Sequence, residues 1–114
     1  MNNFAADIER AAAGEPIQAV VVGAYGWGRE WDVDEDVPVR RGPLPPLGQP
    51  VAWADARAAL DYEYDAGFGG PECDAIWAWT ASRVLFVTQS RGATQVQWLP
   101  RDPSAGEPLM FGHS

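Results

Sequence analysis

Apolar residues recur along the chain at helical spacing near its start and middle, and at strand spacing near its start and end. Phe4, Ile8, Ala11 and Ala12 occupy the i, i+4, i+7, i+8 positions of one helix face, which predicts a helix over residues 4–13. Asn3 stands where a side chain can cap the free N–H groups at its start. Gly14 supplies a left-handed stop, with Pro16 just beyond. Residues 17–24, IQAVVVGA, form a β-branched and almost wholly apolar run, as a central strand requires. A short second helix is predicted near Trp53 to Leu60, with Ala56, Ala59 and Leu60 on one side and Asp55 in its first turn. Three segments then follow closely: AIWAWT, RVLFVTQS and TQVQWLP. The linkers Ala81–Ser82 and Arg91–Gly92 are short enough for hairpins, so these strands form a meander.

The predicted fold is therefore α+β: an antiparallel sheet of about four strands, three of them a C-terminal meander, packed with one N-terminal helix and one short middle helix. Alternation also assigns faces. Trp77 and Trp79 point one way, Ile76 and Ala78 the other; Val84 and Phe86 share a face, as do Val96 and Trp98. One face packs on the helices and the other exposes aromatics. The 114 residues fit a single domain, 1–114, with two irregular stretches. Residues 26–50 are rich in Pro and Gly, and the tail 101–114 carries Pro103, Gly106 and Pro108, with Leu109, Met110 and Phe111 expected to dock back on the core.

Charge changes this picture. Sixteen acids face eight Arg and no Lys, for a formal charge of −8. Such a chain repels nucleic acid and anionic lipid, and favours a basic protein surface or a cation. The acids are clustered. Glu30, Asp32, Asp34, Glu35 and Asp36 form one group; Asp55, Asp61, Glu63, Asp65, Glu72 and Asp74 form another; no acid occurs from Ala75 to Arg101. No apolar run approaches the ~18 residues of a membrane span, and the N-terminus lacks a basic start and apolar stretch, so the cytoplasm is the expected location.

Candidate chemistry concentrates in residues 61–74, DYEYDAGFGGPECD. Asp61, Glu63, Asp65 and Glu72 fall at positions one, three, five and twelve, the acid spacing of an EF-hand calcium loop. The match departs at position six, where Ala66 replaces the required Gly, and at Pro71. A strand rather than a helix follows. The same residues in an extended conformation put Tyr62 and Tyr64 on one face and three carboxylates on the other, ~6.6 Å apart. Such a row crudely imitates a nucleic-acid backbone and suits a basic groove. Paired carboxylates also serve glycoside hydrolysis, but that needs a deep cleft, for which a chain this short has little room. Cys73 and His113 are the sole conventional nucleophile and imidazole, forty residues apart, and are read as incidental. GAYGWG at 23–28 lacks the spacing and Lys of a phosphate-binding loop. No cofactor is expected. Trp27, Trp31, Tyr62, Tyr64 and Phe68 lie among the acids and are the expected aromatic anchors of an interface.

Over residues 17–103 the chain resembles a group of small acidic proteins of phage and prophage genomes. The likeness is carried by GAYGWG, by LDYEYDAGFGGPECDAIWAWT and by RVLFVTQSRGATQVQWLPRDP. No activity is established for that group, so the resemblance implies context rather than chemistry. It brings to mind inhibitors of the anti-CRISPR or anti-restriction type. The sequence thus points to a non-enzymatic acidic binding protein that sets its acidic clusters against a basic groove of a host nucleic-acid-directed complex. The alternatives are an accessory or structural module self-associating through the aromatic sheet face, and a calcium-binding module at 61–72.

Overall fold

A computed structural model describes residues 2–26, 39–67, 72–90 and 93–102. The predicted α+β architecture is what forms. Helix α1 covers Phe4–Ala11 and helix α2 covers Trp53–Leu60. Strands β2 (Ala19–Tyr25), β4 (Asp74–Trp79), β5 (Arg83–Ser90) and β6 (Ala93–Pro100) make one antiparallel sheet in the order β2-β4-β5-β6. The sequence reading missed a two-stranded ribbon, in which β1 (Asn2–Asn3) pairs with β3 (Glu63–Tyr64). Two residues per strand are too few to leave a periodic signature.

Asn3 caps α1 as its position predicts: its side-chain oxygen accepts from the Ala6 N–H at 2.9 Å. The helix stops at Ala11, two residues short of the expected end, because Ala13 (φ 54°) and Gly14 (φ 86°) are both left-handed. Gly14 adopts this conformation freely. Ala13 pays a steric penalty of ~1 kcal/mol for its Cβ. Ala13 is exposed, so Ala13→Gly should raise stability by ~0.5–1 kcal/mol in urea unfolding.

Both helices lie on one face of the sheet. Phe4, Ile8 and Leu60 pack there against Val20, Val22, Ile76 and Leu85, all 3% exposed or less. Tyr62 and Tyr64 complete this core, with ring centroids 5.6 and 5.3 Å from that of Phe4.

The Pro-rich segment has a defined task where it is described. Residues 48–51 run along the outer edge of β2. Val20 and Val51 exchange N–H···O bonds of 2.9 Å, and the Gly48 N–H donates to the Val22 carbonyl at 2.9 Å. Pro43, Pro45, Pro46 and Pro50 have no N–H to donate, so the strap closes the edge without becoming a regular fifth strand. Arg40 anchors it. Its guanidinium donates to both Asp74 oxygens at 2.9 Å and to the Ala59 carbonyl at 3.0 Å. Asp74 also accepts from the Tyr62 hydroxyl at 2.8 Å and is 1% exposed.

Candidate functional site

The opposite face of the sheet is covered by neither helix. Strand register aligns Val21, Trp77 and Phe86 in one row across β2, β4 and β5, and Ala19, Trp79, Val84 and Leu99 in the next across all four strands. Trp77 is 61% exposed and Leu99 46%, while Trp79, Val84 and Phe86 are half-buried. Along β4 the burial alternates strictly, with Ile76 and Ala78 inward and Ala75 and Trp77 outward, as the period of two predicts. Gln95 and Gln97 finish the face on β6, and no charged residue occupies an outward position of its described residues. Trp77 thus stands exposed amid β-branched and aromatic neighbours.

Trp98 belongs to the other face, at the margin beyond the helices. The Arg83 guanidinium lies over its ring, 3.7 Å from the centroid, and donates to the Ala11 carbonyl at 2.9 Å. This stack ties the end of α1 to β6. No one-dimensional spacing signals it.

The acidic segment is rearranged relative to its sequence reading. The alternation across 61–65 forms, but it turns Tyr62 and Tyr64 into the core, where they are 4% and 2% exposed. Their expected role as interface anchors is therefore corrected: they are packing residues, drawn inward because their faces meet Phe4 and their hydroxyls meet buried acids. Tyr64 donates to Asp7 at 2.6 Å as Tyr62 does to Asp74. Burial, reinforced by those carboxylates, raises both phenol pKa values well above the ordinary 10.

Asp61 is also committed internally. It accepts from Asn3 Nδ2 at 2.8 Å and pairs with Arg41 at 3.3 Å and Arg57 at 3.5 Å. Glu63 is exposed on β3, Asp65 is exposed and accepts from the Gly67 N–H, and Glu72 is exposed. The four acids with EF-hand spacing do not converge: among the described residues, no group of three or more His, Cys, Asp or Glu could hold a metal ion. The remaining expected contact residues, Glu30, Asp32, Asp34, Glu35, Asp36, Trp27, Trp31 and Phe68, lie outside the described residues, as does His113.

Among the described residues, three acids have lowered pKa values and shape the response to pH. The Arg57 guanidinium, helped by the Trp53 indole N–H, holds the Glu9 carboxyl below its ordinary 4.5 despite partial burial. Ser82 and Thr80 hydroxyls lower Glu15, and the Asn3 amide with Arg41 and Arg57 lowers Asp61 below 3.8. A carboxyl with a depressed folded pKa binds fewer protons folded than unfolded, so it stabilises above its unfolded value and loses that contribution as pH falls. The urea midpoint should decline as pH drops below about 4.5, and further as it passes about 3.8. Cys73 is the opposite case. Burial, with the nearby Asp74 and Asp7 charges, pushes its thiol up to about 12. The folded protein should resist alkylation by iodoacetamide at pH 8 and react promptly once unfolded.

Comparison of the chain with family models, curated proteins and solved structures gives no match. Among the described residues, no helix is long and apolar enough to cross a membrane.

Proposed function

We propose that the chain is a non-enzymatic binding protein that recognises another protein surface through the outer face of its sheet. The supporting observation is Trp77, 61% exposed on a face whose described outward positions carry no charge, in a chain of net charge −8. Large aromatic residues left in water cost stability and serve as anchors when a partner desolvates them. Binding through such a face draws on apolar burial and is insensitive to salt. Capture experiments on immobilised protein test this: partners retained at high salt by the wild type and lost with Trp77→Arg support the reading. Equal retention by Trp77→Arg overturns it.

A second reading keeps the acids as the contact surface, as in a phage-encoded inhibitor of a host nucleic-acid-directed complex. It is favoured by the alternation at 61–65, which leaves Glu63 and Asp65 projecting to solvent while the tyrosines are buried. It expects capture that vanishes with added salt and with the charge reversals Glu63→Lys and Asp65→Lys.

A further inference from the structure

We infer that residues 43–47 are a polyproline ligand for an aromatic-lined groove of the SH3 type on another protein. This site is separate from the outer sheet face and does not depend on it.

Local backbone chemistry is the first argument. Pro43-Leu44-Pro45-Pro46-Leu47 has P-x-x-P spacing, with Arg40 and Arg41 ahead of it. Each proline fixes its own φ at about −65°, and a residue that precedes a proline is driven to an extended ψ. Gly42, Leu44 and Pro45 each precede one, so the stretch is confined to polyproline II geometry. Residues 43–46 accordingly form neither helix nor strand, and no peptide bond among the described residues is cis.

Exposure is the second argument. A polyproline II helix repeats every three residues, so it is a prism with three edges. Gly42 and Pro45 are half-buried, whereas Pro43 with Pro46 and Leu44 with Leu47 are exposed. One edge therefore lies against the body of the protein, and two edges face water. Leu44 is 41% exposed and Leu47 51%, and neither joins the hydrophobic core. Two free edges, one of proline and one of leucine, are what an aromatic-lined groove grips.

Anchoring is the third argument, because the stretch is tied at both ends. Ahead of it, Arg40 bonds to Asp74 and to the Ala59 carbonyl. Gly42 lies tight against α2, where an added Cβ would come within 2.6 Å of the Ala58 Cβ. Behind it, the Gly48 and Val51 amides donate to the Val22 and Val20 carbonyls of β2. A segment already held in its bound shape loses little further freedom on binding. Arg40 is committed to Asp74, so the cation left for a partner is Arg41, whose side chain is 66% exposed. It suits a carboxylate at the end of the groove.

NMR titration of 15N-labelled SH3 domains with the full chain tests this, using a panel that recognises P-x-x-P peptides in either chain direction. The expected result is saturable shifts at the aromatic groove of at least one domain. The double variant Pro43→Ala/Pro46→Ala should weaken binding at least about tenfold, as should Leu44→Ala/Leu47→Ala. Asp102→Ala, exposed and outside the strap, should bind like the wild type. All four strap positions are exposed, and circular dichroism checks that the variants fold. No saturable shift from any domain at millimolar chain overturns the inference, as does binding that both strap variants leave unchanged.

Discussion

Arg40→Ala should lower the unfolding free energy by ~3–5 kcal/mol, as expected for breaking a buried ion pair. The reason is the burial of its partner. Asp74 is 1% exposed and takes two guanidinium hydrogen bonds of 2.9 Å; without them its charge keeps the Tyr62 hydroxyl but loses its counter-ion. The Ala59 carbonyl loses a donor in the same change. Removing the acid as well takes away the uncompensated charge, so the Arg40→Ala/Asp74→Ala pair should be less damaging than the sum of its singles by ~1–3 kcal/mol. Urea unfolding of the four proteins measures that coupling. Because Arg40 anchors the strap, hydrogen exchange at the Gly48 and Val51 amides should quicken in Arg40→Ala. Additive singles, or a change within ~0.5 kcal/mol, would place the ion pair among ordinary surface pairs.

Tyr64→Ala should cost ~3–5 kcal/mol, as expected for emptying a buried aromatic site. Its ring meets Phe4 edge-on at 5.3 Å and its hydroxyl donates to Asp7. Tyr64→Phe separates the two contributions. It keeps the ring and leaves Asp7 with Asn2 at 3.0 Å and Arg10 at 2.7 Å, so its cost should be near ~1 kcal/mol. A surface anchor would behave otherwise: truncation of an exposed side chain usually stays within ~0.5 kcal/mol. The pair of variants therefore tests directly the reassignment of Tyr64 from interface to core.

That reassignment shows what a single sequence carries. Period-two alternation in AIWAWT and RVLFVTQS is enough to put Trp77 with Trp79 and Val84 with Phe86, because strand geometry leaves only two sides to choose between; that the two pairs share one side follows from the β4–β5 register. Asn3 and Gly14 punctuated α1 by local backbone chemistry, and local chemistry is what sequence records best. At 61–65 the alternation was equally legible, yet it could not say which side faced water. Tyr is at home on either side, and the choice depends on Phe4, Asp7 and Asp74, which lie 12 to 60 positions from the tyrosines they meet. The Arg40–Asp74 pair was out of reach for the same reason. Arg40 sits among prolines that read as irregular, and 34 residues separate it from its acid. Asp61 looked like part of a free acidic row until Asn3, Arg41 and Arg57 came around it. The alternation within each strand is therefore legible in the sequence, whereas the joining of the strands into one face and the fate of individual acids required the tertiary structure.

Photocrosslinking tests most directly whether the exposed sheet face is the contact surface. Two proteins are compared, one with Trp77 and one with Glu63 replaced by p-benzoylphenylalanine, both residues being exposed and on different parts of the surface. Position 77 is expected to give protein adducts, formed equally at low and high salt, and position 63 none. Adducts from position 63 alone, lost as salt is raised, would contradict this and make the acids the contact surface.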